Sequence, residues 1–179
     1  MTTHYDVFNG DADGICALHQ LRMAHPVPEA HCITGVKRDI RLLDKIQDAQ
    51  DSEITVLDVS LDSNRASLET LLSQDNSIFY VDHHFAGEIP ENSTLTTLID
   101  PSPEVCTSIL VNNYLEEKYP LWAICGAFGD NLHDQALRLA GLLSLPEEKV
   151  LALKEIGELL NYNGYGSSVE DLHFAPNIL

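Results

Sequence analysis

The 179-residue chain reads as an α/β domain, a mostly parallel five-stranded sheet flanked by helices with a helical C-terminal portion. Three observations predict this. Short apolar runs at residues 5–8, 54–57 and 78–81 have the length and composition of buried strands. Helical patterns of Leu, Ile and Ala separate them, and strands alternating with helices form βαβ units with right-handed crossovers. After Asp100 the strand-like runs cease and only helical spacing continues.

The elements follow in order. Residues 5–8 form a first strand and enter an acidic loop, Asn9-Gly10-Asp11-Ala12-Asp13-Gly14. A helix over 15–24 stops before Pro26 and Pro28. Residues 31–36 predict a second strand and 39–47 a helix carrying Ile40, Leu43 and Ile46 on one side. After the third strand, 54–57, Asp62 is expected to cap a helix whose inward face holds Ala66, Leu68, Leu71 and Leu72. Residues 78–81 and 95–99 are the fourth and fifth strands. Ser102-Pro103-Glu104 reads as an N-cap with proline at the first helical position, leading into Val105, Ile109, Leu110 and Tyr114. Two short helices follow at 121–128 and 132–143. Ser144-Leu145-Pro146-Glu147 resembles a capping box before a helix to about residue 160. Residues 161–168, rich in Gly, Asn and Ser, read as a linker. The expected division is a metal-binding domain over 1–145, then a helix and linker over 146–179 that lead toward a further C-terminal domain. The ending Pro176-Asn177-Ile178-Leu179 favours a chain that continues.

Composition bounds the function. Ten basic and 28 acidic residues give a formal charge of −18. Such a surface argues against long nucleic acid as a partner of this domain alone, because that binding rests on Lys and Arg neutralising phosphates. Cys16, Cys32, Cys106 and Cys125 are widely spaced with no C-x-x-C pair, as expected for reduced core cysteines of a cytoplasmic protein. The N-terminus lacks the basic and apolar segments of a signal peptide, and no apolar stretch approaches the roughly 18 residues of a membrane span.

The acidic residues sit where strands end. Asp11 and Asp13 follow the first strand, Asp58 the third, and Asp82-His83-His84 the fourth, while Gly129-Asp130 closes an apolar helix. Carboxylates converging with a histidine require cations to neutralise them, and the pattern predicts a site for two metals. N-x-D-x-D-G also matches the opening of a calcium-binding EF-hand. That motif needs a glutamate at its twelfth position, occupied here by Gln20, and a helix upstream where this chain has a strand. Asp11 and Asp13 before a helix N-terminus suit a metal and a phosphate together. Adjacent His83 and His84 point in different directions, so one can ligate a metal while the other faces substrate, with Asp82 orienting an imidazole. Lys37 and Arg38, beyond the second strand, are candidate contacts to a phosphoryl group. The glycine-rich tail lacks the G-x-x-x-x-G-K-[ST] pattern of a phosphate loop.

These motifs, in this order over roughly residues 4–135, resemble the DHH phosphoesterase superfamily. It includes family II inorganic pyrophosphatases, single-strand DNA exonucleases, oligoribonucleases and cyclic-dinucleotide phosphodiesterases. The resemblance implies that Asp11 and Asp58 hold one metal, with Asn9 at the head of the motif. It also implies that Asp13, Asp58, His83 and Asp130 hold the other, and that His84 contacts the scissile phosphate. Manganese is the metal the family implies, with Mg2+ or Co2+ as substitutes; a mixed oxygen and imidazole donor set suits Mn2+ independently. In that reading Asp58, His84 and Asp82 are the catalytic residues, and His84, Lys37 and Arg38 bind substrate.

Two departures stand out. The family motif begins with histidine, and Asn9 takes that place here with a weaker amide oxygen. Nothing after residue 160 resembles the substrate domain that members carry. The expected activity is two-metal hydrolysis of a phosphodiester in a short oligonucleotide or small nucleotide. A non-catalytic nucleotide-binding module of the same fold and an inorganic pyrophosphatase are the alternatives.

Overall fold

The computed structural model describes residues 2–179. Five strands form one parallel sheet: β1 (His4–Phe8), β2 (His31–Ile33), β3 (Glu53–Leu57), β4 (Ser77–Asp82) and β5 (Leu95–Ile99), in the order β2-β1-β3-β4-β5. Helices α1 (Ala12–Ala24) and α2 (Leu61–Leu72) alternate with the strands. Then come α3 (Thr107–Tyr114), α4 (Pro120–Gly129), α5 (His133–Leu142) and α6 (Glu147–Asn163). This is the predicted α/β class with a helical C-terminal portion.

Alternation along each strand divides the core. Val7, Val56 and Tyr80 are aligned across β1, β3 and β4 and pack with Leu61, Leu68 and Leu71 of α2 on one face. Phe8, Leu57 and Val81, the next row, face the other way onto Ile15 and Leu21 of α1 and Leu110 and Val111 of α3. Strands buried on both faces read as unbroken apolar runs, which is why they were legible. A third cluster, with Ile124, Ala127, Phe128, Ala136 and Ala140, joins the C-terminal helices.

The register positions the site. Beyond the row Phe8–Leu57–Val81, the next residues are Asn9, Asp58 and Asp82, so three polar residues leave three adjacent strands side by side. The ladder carries on through the Asn9 amide to the Leu57 carbonyl (3.2 Å) and the Asp58 amide to the Val81 carbonyl (3.0 Å).

Several local expectations are corrected. The helix after the third strand is capped by Ser60, whose Oγ accepts from the Ser63 amide, while Asp62 lies in its first turn; Ala66 faces solvent. The helix expected over 39–47 is a 3₁₀ turn at Leu42–Ile46. Buried Asn64 accounts for this: its Nδ2 donates to the Ile40 carbonyl and its Oδ1 accepts from the Leu43 amide. β2 ends at Ile33, short of the expected 31–36, and the chain turns at Lys37 and Arg38. Ser102 makes a turn with Asp100 and does not cap α3, which begins at Thr107. Ser144 is left-handed (φ 51°) and terminates α5, so it forms no capping box for α6, which starts after Pro146. Cys16, Cys106 and Cys125 are buried as expected, but Cys32 is exposed on β2, the edge strand.

The first part of the segment expected to be a linker, residues 161–163, continues α6, and Asn163 and Gly164 are buried. α6 runs to Asn163, the Gly164 carbonyl accepts from the Lys37 amide (2.8 Å), and Asn163 holds Phe174 through a reciprocal pair of hydrogen bonds. Among the described residues, no helix is long and apolar enough to cross a membrane.

Candidate metal centre at the carboxyl edge of the sheet

A cavity of about 350 Å³ opens at the carboxyl ends of β1, β3 and β4, lined by Asn9, Asp11, Lys37, Asp58, His83, His84 and Asp130 among others. Ligands of open α/β sheets bind at this edge. Asp58 enters it through a left-handed turn (φ 59°), a conformation that aspartate tolerates better than most side chains. The turn is pinned from below by the buried Tyr80 hydroxyl, which donates to the Val59 carbonyl at 2.7 Å.

His83 is the hub. Its Nε2 lies 3.5 Å from Asp58 Oδ1, 3.7 Å from Asp130 Oδ2 and 3.9 Å from Asp13 Oδ2. These are too long for direct hydrogen bonds. They suit donors around a common ion: on an octahedron of radius about 2.1 Å, adjacent donors stand about 3.0 Å apart and opposite ones about 4.2 Å. Asp13, His83 and Asp130 offer ligand atoms at mutual cation-binding distances, and so do Asp58, His83 and His84.

Asp13 is held in place by α3: its Oδ2 and Oδ1 accept from the Thr107 amide (2.7 Å) and the Ser108 amide (2.8 Å). The Thr107 hydroxyl donates to Asp58 Oδ1 at 3.2 Å. Thus the start of α3, which the sequence reading placed four residues early, is capped by a carboxylate from another element.

The carboxylates crowd one another. Burial, reinforced by Asp13, Asp11, Asp82 and Asp130, pushes Asp58 well above the usual carboxylate range. Burial and then Asp13 raise Asp130 to about 6, against the opposing pull of His83. A cation among Asp13, Asp58, His83 and Asp130 would remove this repulsion, and the donor set fits a divalent metal.

Asp82 is fully buried at the end of β4. Its Oδ1 accepts from the His83 amide (2.9 Å) and from His84 Nδ1 (2.7 Å). A carboxylate only accepts, so Nδ1 carries the proton and Nε2 is the free nitrogen. The hydrogen bond to Asp82 outweighs partial burial and raises the His84 pKa.

Asp11 has partners within the chain. It is the N-cap of α1, its Oδ1 accepting from the Asp13 and Gly14 amides, and its Oδ2 pairs with Lys37 Nζ at 2.6 Å. The α1 amides are therefore taken and do not face an anion as predicted. The helix end that reaches the cavity belongs to α2, through Val59, Ser60 and Ser63. Asn9 donates to the Lys37 carbonyl at 3.2 Å, and its Oδ1 is buried without a partner. Lys37 Nζ also reaches Asn161 Oδ1 at 2.7 Å; although burial depresses its pKa, Asp11 raises it further, so it stays an ammonium. Arg38 turns away to the Ser167 carbonyl at 3.1 Å and does not line the cavity.

Thr107, Ser108, Ser60, Ser63 and Asn161 were not singled out from the sequence. Thr107 and Ser108 left one signal, a hydroxyl pair just ahead of the apolar run Ile109-Leu110-Val111. Asn161 left none, since its partner lies 124 residues away.

The fold is DHH-like. It superposes on a solved structure described as the DHH domain of a member of a family of ribosomal proteins (TM-score 0.64, 16% identity, 89% of this chain and 47% of that one). It also superposes on the exonuclease RecJ bound to manganese (TM-score 0.53, 19% identity, 91% and 49%). The chain spans about half the length of these structures. No family model and no curated protein matches it in sequence.

Proposed function

We propose that the chain is a metal-dependent phosphoesterase that hydrolyses a phosphodiester of a short oligonucleotide or small nucleotide. The observation that carries this reading is the approach of His83 Nε2 to oxygens of Asp13, Asp58 and Asp130, three sequence-distant carboxylates that repel one another without a cation. Manganese is the proposed metal: the donors mix oxygen and imidazole, and the RecJ structure of similar fold is bound to it. Bound there, such an ion supplies Lewis acidity and neutralises developing charge.

The chain's own groups supply the rest. His84, with Nδ1–H fixed on Asp82, presents Nε2 toward the cavity; protonated, it donates to a phosphoryl oxygen and stabilises charge there. Asp82 is a positioning residue that holds this tautomer and favours the imidazolium. Asp13 and Asp58 are locked by Thr107 and Ser108, so the ligand geometry is prepared before metal arrives. Cavity size and the charge of −18 favour a small substrate over a long polymer.

The test is manganese-dependent hydrolysis of an aryl phosphodiester and of short oligonucleotides. Asp58→Ala should abolish turnover, and undiminished activity in that variant removes the reading. Asn9, a neutral residue with an unpartnered oxygen, favours a second reading: a nucleotide-binding module without chemistry. Calorimetry separates the two, since a binder takes up nucleotide and metal with no product formed.

A further inference from the structure

Asp11, the residue expected to anchor a second ion, already faces a cation of the chain itself. One carboxylate oxygen is committed to two amides of α1 and the other to Lys37 Nζ. It belongs to neither of the side-chain groups with cation-binding geometry, and both of those groups contain His83, so they describe one centre more naturally than two. Asn9, at the head of the same motif, directs its amide nitrogen to the Lys37 carbonyl.

Lys37 is too firmly held to be a surface lysine that has drifted inward. Its amide donates to the Gly164 carbonyl at 2.8 Å, its carbonyl accepts from Asn9, and its ammonium bridges Asp11 Oδ2 and Asn161 Oδ1. Two separate parts of the chain, the loop between β1 and α1 and the end of α6, thereby fix a positive charge at the wall of the cavity. An ammonium within about 3 Å of a carboxylate satisfies it, and a divalent cation placed on the same oxygen would meet that charge at close range.

We propose that the Lys37 ammonium permanently takes the place of one of the two cations expected here. The protein then holds a single divalent ion on Asp13, Asp58, His83 and Asp130, beside a tethered positive charge. This rests on the phosphoesterase reading and refines it: Lys37 faces the phosphoryl group as the second cation would, and Asn161 is its positioning residue. Asp11 neutralises Lys37, which leaves Asp13, Asp58 and Asp130 for one divalent ion.

Metal stoichiometry tests this apart from activity. Equilibrium dialysis of the full chain against Mn2+, followed by elemental analysis, should give one ion per chain. Electron paramagnetic resonance at saturation should show an isolated ion without exchange coupling. Lys37→Ala frees Asp11 and should raise the count from one to two, with a coupled spectrum. Two coupled ions in the unmodified protein would overturn the inference and leave the phosphoesterase reading standing. No ion at all would overturn both. A Lys37→Ala variant that folds, by circular dichroism, yet still binds one ion would also overturn it. If that variant does not fold, the count and spectrum of the unmodified protein decide alone.

Discussion

At the scale of single residues, the site trades stability for a place to bind a cation. Asp58 is 2% exposed, faces four other acidic side chains and adopts a left-handed backbone. Asp58→Asn keeps the shape and the Thr107 contact but removes a charge that costs free energy in the metal-free fold. The melting temperature in chelator should therefore rise by roughly 2–8 °C, on the order of 1–2 kcal/mol, while Mn2+ affinity measured by calorimetry falls at least about a hundredfold. A drop in metal-free stability would contradict this account of the cluster. Asp82 acts through its neighbour. Its hydrogen bond raises the His84 pKa, so activity that needs the imidazolium is lost as pH rises through that raised value. Asp82→Asn removes the cause, and the alkaline limb of the kcat profile should move to lower pH, with kcat down roughly 10–100-fold and metal stoichiometry unchanged. An unmoved limb would mean that His84 does not act as the acid.

At the scale of elements, the close crossing of α4 and α6 holds Asp130 in place. A Cβ on Gly157 would stand 2.2 Å from the Cys125 carbonyl oxygen, and one on Gly129 would stand 2.7 Å from the Gly157 oxygen. Both obstacles are backbone, so neither helix can yield without moving. Gly157→Ala should cost about 1–3 kcal/mol in denaturant unfolding and weaken Mn2+ binding through displaced Asp130. Gly141→Ala on α5, with nothing within 4 Å, should instead gain about 0.5–1 kcal/mol. Equal effects would refute the packing argument. The same contrast explains what was legible in the sequence. The strands, their order of appearance and the acidic residues at their ends follow from local apolar runs, and the parallel register then brings Asn9, Asp58 and Asp82 together. Start points of helices were missed where a distant side chain does the capping, as Asp13 does for α3. The 39–47 segment misled because its helical spacing lost to Asn64, a polar group from α2 that claims its backbone. The Lys37–Asp11–Asn161 bridge was hidden because no local pattern announces contacts across 26 and 124 residues.

For the molecule as a whole, the acidic edge couples folding to pH and to metal. Burial and neighbouring carboxylates push Asp130 up to about 6 in the folded protein, and burial pushes Asp58 well above its ordinary carboxylate range. Across that window the folded state binds more protons than the unfolded chain. The stability that protonated Asp130 contributes is complete below about pH 4 and is lost as pH rises through about 6, and protonated Asp58 acts in the same sense. In chelator, denaturant unfolding should therefore show stability falling from pH 4 to 7, by on the order of 2–3 kcal/mol from Asp130 alone. General repulsion within a chain of charge −18 acts in the same direction, so Asp58→Asn is the control, and its profile should be flatter. Manganese competes with those protons. Its stabilisation should be small at pH 5 and grow toward neutrality, reaching about 2.7 kcal/mol at a hundredfold excess over Kd, or roughly 5–11 °C in melting temperature. Lys37 pairs with Asp11, so Lys37→Ala should lower metal-free stability without flattening the slope. A chelator profile that is level between pH 4 and 7, together with a melting temperature indifferent to Mn2+, would mean that the carboxylates at the sheet edge do not share one cation.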